Sequence, residues 1–287
     1  MKDSQTPAPE LGLRLSDSDF RSIRELLHSG FGIALAEEKR SLVAGRLQKV
    51  LRDRGNISFS EYYRQVVDDA SGREMSELIN RLSTNHTFFN REKDHFDHFR
   101  QTALPEALRR GQATGEKDLR VWCAASSTGE EPYMLAMCLR EVFGAAHRDW
   151  DTALLATDIS ERALAVARNG VYPADRMQEL PAPLRERYFQ PRGQDFEVVP
   201  EIKSLITYRR FNLINPGYPF KRAFDAIFCR NVLIYFDVPT KVEVVAKMAK
   251  FLRPGAYLYL GHSETLGRES EHYRYVRPAV YRRKEDA

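Results

Sequence analysis

The sequence predicts an α/β protein with two domains: a small all-helical domain, followed by a larger domain built on a parallel β-sheet. From about residue 119 onward, apolar runs of strand length alternate with helical stretches, which indicates strands joined by crossover helices. Residues 15–90 show apolar residues at helical spacing and no convincing strand. We therefore expect a disordered N-terminus at 1–14, a helical domain at 15–90 and a sheet domain at 91–287.

The helical domain begins with a capping signal. Ser16 precedes Asp17 and Asp19, which is typical of an N-cap with an acidic first turn, and Gly30 and Gly32 end the helix. The same periodicity predicts further helices at about 36–54, 60–69 and 73–81, and a linking helix at 92–112 that packs on the sheet.

Short apolar runs predict the strands of the sheet domain. They lie at 119–125, 152–157, 206–211, 224–229 and 256–261, with another near 274–282. Between about 190 and 210, β-like pieces such as Phe196–Val199 flank a break at Pro200. We expect these pieces to form a small antiparallel β insert on the main sheet.

Composition restricts the class of protein. A hydrophobic content of 43% in 287 residues is that of an ordinary globular chain, and no run is long enough to span a bilayer. The N-terminus lacks the apolar core of a signal peptide, so we expect a cytoplasmic protein without membrane insertion. The three cysteines lie in apolar runs without metal-ligand spacing, which predicts reduced core thiols and no metal.

Two of the predicted strands end in residues that suit a nucleoside. The strand at 119–125 runs into a turn of small residues that ends in Glu130-Glu131, and the next strand ends at Asp158, whose carboxylate can bind both ribose hydroxyls. The turn lacks the glycine pattern of a dinucleotide fold, and two carboxylates beside a diphosphate are electrostatically unfavourable. S-adenosylmethionine, a nucleoside with a sulfonium and an amino group, fits these residues.

Both acidic positions also have a structural interpretation. Thr128-x-x-Glu131 matches a capping box, and Asp158-x-x-Glu161 matches a helix N-cap. A capping role explains Glu131 but leaves Glu130 unexplained. We favour a cofactor contact by one of the two glutamates, with capping as a compatible second role.

The strand at 224–229 ends abruptly in polar residues. Arg230, Asn231 and then Tyr235 follow it, and the carboxyl ends of strands in an open α/β sheet are where ligands bind. The alternative is that Arg230 pairs with a structural carboxylate and that Tyr235 belongs to the core.

The junction of the two domains is also rich in polar residues. Within Ser83–Glu92, the side chains of Asn85, Thr87 and Arg91 are candidates for ligand contact. The alternative is a polar linker anchored by two phenylalanines.

The second predicted helix is strongly basic. Six basic residues and one acid lie between Lys39 and Arg54, and Arg46, Lys49 and Arg52 share a face away from an apolar stripe. A solvated surface is the ordinary explanation, and an acidic protein partner is the functional one. Nucleic acid is disfavoured because the net charge is only +4.

Five segments together resemble the chemotaxis receptor glutamate O-methyltransferases, the CheR family, over about residues 15–283. The segments are Ser83–Glu92 (STNHTFFNRE), Val121–Tyr133 (VWCAASSTGEEPY), Ala156–Ile159 (ATDI), Phe224–Phe236 (FDAIFCRNVLIYF) and Gly261–Glu264 (GHSE). The resemblance implies a Rossmann-like S-adenosylmethionine methyltransferase domain with a small β-subdomain, after an all-helical domain. It also implies methyl transfer to glutamates of chemoreceptor cytoplasmic helices, giving γ-methyl esters and S-adenosylhomocysteine.

The resemblance also implies roles for individual residues. Arg91 and Tyr235 are expected near the transferred methyl group, Asp158 on the ribose, and Glu131 is preferred over Glu130 as a cofactor contact. The other expected cofactor contacts are Asn85, Thr87, Arg91, Asn212, Leu213, Arg230 and Asn231.

One segment differs from some members of this family. Members that bind a pentapeptide at the receptor C-terminus carry an extra glycine-containing loop in the β-subdomain, whereas Arg192–Phe196 is short here. We therefore expect direct docking on receptors without that tether. Two rival functions remain open: a methyltransferase for another acidic protein, and a catalytically silent cofactor-binding module.

Overall fold

A computed structural model describes residues 14–82, 87–267 and 270–285 of the chain. The chain divides into two compact units, Met1–Thr84 and Asn85–Ala287.

The described part of the first unit is helical, as predicted. Ser16 caps the first helix by accepting a hydrogen bond from the backbone N–H of Asp19, and a capping box between Ser58 and Glu61 starts the third. The apolar stripe of the second helix is buried. The four α-helices of this part are α1 (Asp17–Phe31), α2 (Arg40–Asp53), α3 (Phe59–Asp68) and α4 (Arg73–Leu82).

The second unit contains a seven-stranded sheet with helices on both faces. The described α-helices are α5 (Lys93–His98), α6 (Leu104–Thr114), α7 (Glu130–Phe143), α8 (Glu161–Asn169), α9 (Ala182–Tyr188), α10 (Pro200–Lys203) and α11 (Val238–Phe251). The strands are β1 (Asp118–Ala124), β2 (Asp151–Asp158), β3 (Val171–Pro173), β4 (Phe189–Arg192), β5 (Asp195–Val198), β6 (Ile206–Arg210), β7 (Phe224–Cys229), β8 (Leu252–Leu260), β9 (Tyr273–Arg277) and β10 (Val280–Arg283).

The main sheet has the strand order β6-β2-β1-β7-β8-β10-β9. The first five strands in this order are parallel, and β10 and β9 are antiparallel additions at one edge. This topology confirms the predicted α/β fold class. The predicted linking helix is divided into α5 and α6 by a π-helical turn at Phe99–Ala103.

The strands are buried on both faces, which explains their continuous apolar runs. Along β1, Val121 and Cys123 face one hydrophobic cluster, whereas Trp122 and Ala124 face the other. Helix α7 packs into the first cluster and α11 into the second.

A second sheet, with the order β3-β5-β4, is the predicted antiparallel insert. Strands β4 and β5 are joined by a two-residue turn, Gly193-Gln194, so that Arg192 pairs with Asp195. The sequence did not predict β3, because a strand of three residues is too short to show alternation. The strand predicted at 206–211 is β6 and belongs to the main sheet.

The order of the strands fixes where ligands bind. From β1 the chain extends through β2 to β6 on one side and later returns to β7 on the other side of β1. The carboxyl ends of β1 and β7 therefore border the topological switch point, where open α/β sheets bind ligands.

The turn after β1 depends on one glycine. Gly129 has a φ of 100°, and a Cβ built on it lies 2.8 Å from both the Ala167 Cβ and the Tyr172 hydroxyl. A side chain at this position is therefore disfavoured both by the backbone conformation and by the lack of space.

We expect Gly129→Ala to lower the free energy of unfolding of the sheet unit by about 1–3 kcal/mol. Urea unfolding followed by the fluorescence of the buried tryptophans measures this change. Gly217→Ala is the matched control, because a Cβ at Gly217 has open space. An equal effect of the two substitutions contradicts the strained-turn argument.

Candidate cofactor site

The turn between β1 and α7 has a tightly specified backbone. Ala125 and Ser127 have φ values of 67° and 48°, which non-glycine residues rarely adopt and which are frequent at functional sites. The Ser126 N–H donates to the carbonyl of Thr157 at 2.8 Å, so the turn is attached to the end of β2. The hydroxyls of Ser126 and Ser127 are buried without a hydrogen-bond partner among the described residues, which leaves polar capacity for a ligand.

Asp158 holds this turn in place. One carboxylate oxygen accepts from the Ser127 N–H and the other from the Ser160 N–H, each at 2.8 Å. Burial raises the pKa of Asp158, against the effect of these hydrogen bonds. The N-cap interpretation of Asp158 is wrong, because Ser160 caps α8 by accepting from the Ala163 N–H.

The structure separates the two adjacent glutamates. The Glu130 side chain is 0% exposed, accepts from the Thr128 hydroxyl and forms an ion pair with Arg176 at 2.7 Å. Burial raises the pKa of Glu130. The predicted capping box at Thr128 is wrong, since the N-cap of α7 is Gly129 and makes no side-chain cap bond. Glu130 therefore stabilises the turn from inside.

Glu131, in contrast, contacts residues at the carboxyl ends of the central strands β1 and β7. One carboxylate oxygen accepts from Arg230 Nη1 at 2.5 Å and the other from the Cys123 thiol at 3.1 Å. Burial raises the pKa of Cys123 well above its usual value, so the thiol remains a donor. The side chain of Glu131 retains 16% exposure, in contrast to Glu130.

A buried arginine joins the end of β7 and the first turn of α7 to the segment that carries Arg91. The Arg230 side chain is 1% exposed and forms ion pairs with Glu131 at 2.5 Å and Glu92 at 3.0 Å. Its Nη2 also donates to the carbonyl of Arg91 at 2.5 Å. Arg230, Glu92 and Glu131 are hereafter called the Arg230 network.

A second buried carboxylate shapes the loop after β7. Glu264 accepts from the backbone N–H groups of Gly261 at 2.6 Å, Asn231 at 2.9 Å and Ile234 at 3.2 Å. Asn231 has a φ of 58°, and a Cβ on Gly261 lies 2.9 Å from the Asn231 Cγ. These hydrogen bonds attach the loops after β7 and β8 to each other. Any residue other than glycine at position 261 would require Asn231 to move.

The loop after β6 lies beside Asp158. The Phe211 N–H donates to the Asp158 carbonyl at 3.0 Å, and Asn212 and the buried Leu213 follow directly. The Asn212 side chain accepts from the Ile214 N–H at 3.2 Å. The residues expected at the ribose and the adenine are therefore neighbours at this edge.

The remaining predicted site residues lie in the segment before α5 and in the turn after β7. Arg91 and Thr87 are half-buried, and the Arg91 guanidinium lies 6.0 Å from the Phe88 ring centroid. Tyr235 is half-buried in a 3₁₀ turn at Leu233–Tyr235. Asn85 lies outside the described residues.

Three potential metal ligands occur beside the Arg230 network. Ligand atoms of Glu92, His95 and His262 lie within 4.8 Å of one another. The Arg230 guanidinium lies 3.0 Å from the same Glu92 carboxylate, and burial together with Arg230 lowers the pKa of His95 to about 4. The arginine charge, which adds to the effect of burial on His95, also opposes a metal cation here.

Two structural acids, Glu92 and Glu264, were not predicted from the sequence. Glu92 directly follows Arg91, and Glu264 directly follows Gly261-His262-Ser263. Nothing in either local pattern indicates that the carboxylate accepts hydrogen bonds from residues far along the chain. A buried arginine at the end of β7 is a general signal that acids from elsewhere must neutralise it.

The basic face of α2 lies in the first unit. Lys49 and Arg52 are exposed, whereas Arg46 is half-buried and donates to the Leu82 carbonyl at 2.7 Å. Arg46 thus has a structural contact, whereas Lys49 and Arg52 are exposed to solvent. Among the described residues, none of the helices combines the length and the apolar character that a bilayer crossing requires.

A largely parallel sheet with Asp158 at the carboxyl end of β2 and Glu131 in the first turn of α7 suits an S-adenosylmethionine-dependent methyltransferase, and comparison with known proteins shows both the class and the family. Residues 85–281 match the model described as CheR methyltransferase, SAM binding domain, and residues 18–83 match CheR methyltransferase, all-alpha domain. The chain therefore belongs to the CheR methyltransferase family, and its cofactor is S-adenosylmethionine.

Curated relatives match over most of their length. The chemotaxis protein methyltransferase 2 of Pseudomonas aeruginosa is 39% identical over 97% of this chain and 98% of its own. The chemotaxis protein methyltransferase of Borreliella burgdorferi is 35% identical over 95% and 96%, respectively. That of Escherichia coli K12 is 38% identical over 88% and 86%.

Proposed function

We propose that this methyltransferase transfers the methyl group of S-adenosylmethionine to glutamate side chains of chemoreceptor cytoplasmic helices and forms γ-methyl esters. The observation that carries the proposal is the set of fixed carboxylates at the carboxyl edge of the sheet, Asp158 and Glu131, in a chain of this family. The names of the curated relatives support a role in chemotaxis.

The site residues suit a cationic nucleoside. Asp158 is held by two backbone N–H groups and can accept from ribose hydroxyls, and Asn212-Leu213 beside it are assigned to the adenine. Glu131 is assigned to the amino group, with Thr87, Asn85 and Asn231 as further contacts. Arg230 is too buried for direct contact through its side chain, so we assign its role to the orientation of Glu131.

The chain supplies no base to the reaction in this proposal. A glutamate carboxylate has an unperturbed pKa of about 4.3 and is already a nucleophile at neutral pH. The bound cofactor supplies the electrophilic methyl group. The protein must align the carboxylate with that methyl group and exclude water. We assign the alignment to Arg91, which can hold the substrate carboxylate through a bidentate contact. Tyr235 is assigned to packing or a hydrogen bond near the methyl group.

The partner is proposed to dock through the basic face of α2. Receptor methylation helices are acidic, and Lys49 and Arg52 are exposed on that face. The two-residue turn at Gly193-Gln194 supports docking without a pentapeptide tether, since the connection between β4 and β5 has no additional loop. We propose that the protein acts in the cytoplasm, where these receptor helices lie.

The chemistry of the product tests the proposed function. We expect a chemoreceptor cytoplasmic fragment to take up methyl label from S-adenosylmethionine and to release it as methanol in mild base, because methyl esters hydrolyse under conditions where N-methyl groups do not. A fragment whose methylation-region glutamates are replaced by alanine is the control. Base-stable label indicates a different acceptor, and no label in any protein supports the silent-module alternative.

We expect Asp158→Ala to weaken S-adenosylmethionine binding by about 1.5–3 kcal/mol, because hydrogen bonds to a charged group are lost. Titration calorimetry measures the change, and circular dichroism checks that the fold is retained. Asp151→Ala is the matched control, since Asp151 lies at the opposite end of the same strand. Unchanged affinity refutes the ribose assignment.

We expect the double substitution Lys49→Glu and Arg52→Glu to lower the rate of receptor methylation by about tenfold at low salt, with no change in cofactor affinity. Arg46 is left intact because it donates to the Leu82 carbonyl. The control is Arg21→Glu with Arg64→Glu, which makes the same change in charge at exposed positions of α1 and α3. Equal rates for the two double variants mean that the face is only solvated.

A further inference from the structure

Helix α11 has apolar residues on two faces. Val244, Val245 and Met248 are buried in the second hydrophobic cluster of the sheet. Val238 and Val242 lie four residues apart and therefore on one side of the helix. They are 70% and 64% exposed and belong to neither cluster. Packing within the described part of the chain thus accounts for only one of the two apolar faces.

The exposed face continues into the turn before the helix. Ile234, in the 3₁₀ turn Leu233–Tyr235, is 44% exposed and precedes Val238 by four residues. A single exposed aliphatic side chain needs no explanation, whereas several on one surface segment indicate a contact with another molecule. Ile234, Val238 and Val242 are hereafter called the apolar stripe.

The apolar stripe adjoins the residue assigned to the methyl group. Tyr235 directly follows Ile234 and packs against the same hydrophobic cluster as α11. Glu264 accepts from the N–H groups of Ile234 at 3.2 Å and of Asn231 at 2.9 Å, so the turn is attached to the loop at the carboxyl end of β7. The stripe therefore begins beside the candidate site and is fixed relative to Tyr235.

The charges beside the stripe favour an acidic partner over a basic one. Asp237 is engaged as the N-cap of α11, and Glu243 forms an ion pair with Lys247 at 2.7 Å. Lys241, in the first turns of the same helix, has no ion-pair partner among the described residues. Both acids are thus paired within the chain, and a cation adjoins the stripe.

We propose that the apolar stripe is a docking surface for the acceptor helix, which it contacts one to two turns away from the glutamate that is methylated. Residues three, four and seven positions from that glutamate lie on the same side of the acceptor helix, about 5–10 Å along its axis. Val238 and Val242 are about 6 Å apart along α11, a spacing that suits the packing of one helix on another. The inference rests on the proposed function, which makes the acceptor an acidic receptor helix.

The test is the double substitution Val238→Ser and Val242→Ser, assayed with the chemoreceptor cytoplasmic fragment. We expect KM for the fragment to rise about tenfold, because apolar contacts with the acceptor are lost. The value of kcat and the affinity for S-adenosylmethionine are expected to stay unchanged, since neither valine is assigned to the cofactor or the methyl group. The increase is expected to be the same at low and high salt, because apolar contacts are not screened as charged ones are.

The matched control is Val67→Ser with Val166→Ser, which makes the same change at exposed positions of α3 and α8. Circular dichroism checks that both double variants fold. Should the stripe variant not fold, Val238→Ile with Val242→Ile decides, because a larger apolar surface must then lower KM for the fragment.

Two results refute the proposal. One is an equal KM for the stripe variant and the control variant, which means that the stripe is only solvated. The other is a wild-type dimer in sedimentation that the stripe variant does not form, which means that a second copy of the chain occupies the stripe. In both cases the wild-type protein still forms base-labile esters, so the docking inference fails without the proposed function. Absence of ester formation by the wild-type protein refutes the proposed function itself, and the docking inference with it.

Discussion

The cofactor edge of the sheet depends on one buried guanidinium. Arg230 follows β7, and its side chain crosses to Glu131 at the start of α7 and to Glu92 in the segment before α5. A buried charge of this kind is strongly destabilising if left unpaired. The two acids and the carbonyl of Arg91 are therefore held where the guanidinium requires them, and the residues beside them acquire defined positions.

Four acids near the carboxyl ends of the strands have different structural roles. The hydrogen-bond donors around each carboxylate determine its role. Asp158 and Glu264 accept mainly from backbone N–H groups, so they fix loop conformations. Glu130 is fully buried, pairs with the partly exposed Arg176 and stabilises the turn from inside. Glu131 shares its arginine with Glu92 and retains 16% exposure, which is consistent with its proposed assignment to the cofactor.

Strong periodicity and cap signals made much of the fold predictable. The Ser16 N-cap and the buried stripe of α2 were confirmed, since each follows from residues close in sequence. The short strand β3 and the π-helical turn within the linking helix were not predicted, because tertiary packing rather than a local pattern determines them. The capping interpretations of Thr128 and Asp158 were wrong, since Gly129 and Ser160 cap those helices instead.

The site was less predictable than the fold, because contacts between residues far apart in the sequence determine it. Acids that end a strand can be identified from sequence, but a carboxylate such as Glu92 is defined by its contacts with Arg230, 138 positions away. The local pattern alone did not decide which of Glu130 and Glu131 contacts the cofactor, and the family resemblance preferred Glu131. The structure distinguishes the two by their burial and their partners. The assignments of Arg91 and Tyr235 to the methyl group stay predictions.

The charge of the network is consistent with the chemistry that we propose. When a carboxylate attacks a sulfonium methyl group, opposite charges cancel as the bond forms, so groups that bind either charge strongly in the ground state slow the step. A site suited to this reaction therefore binds the cofactor through charges that do not contact the reacting carboxylate or sulfonium directly. In the Arg230 network the guanidinium is enclosed at 1% exposure whereas the Glu131 side chain retains 16%, so under the proposed assignment the group that meets the cofactor is the acid and not the arginine.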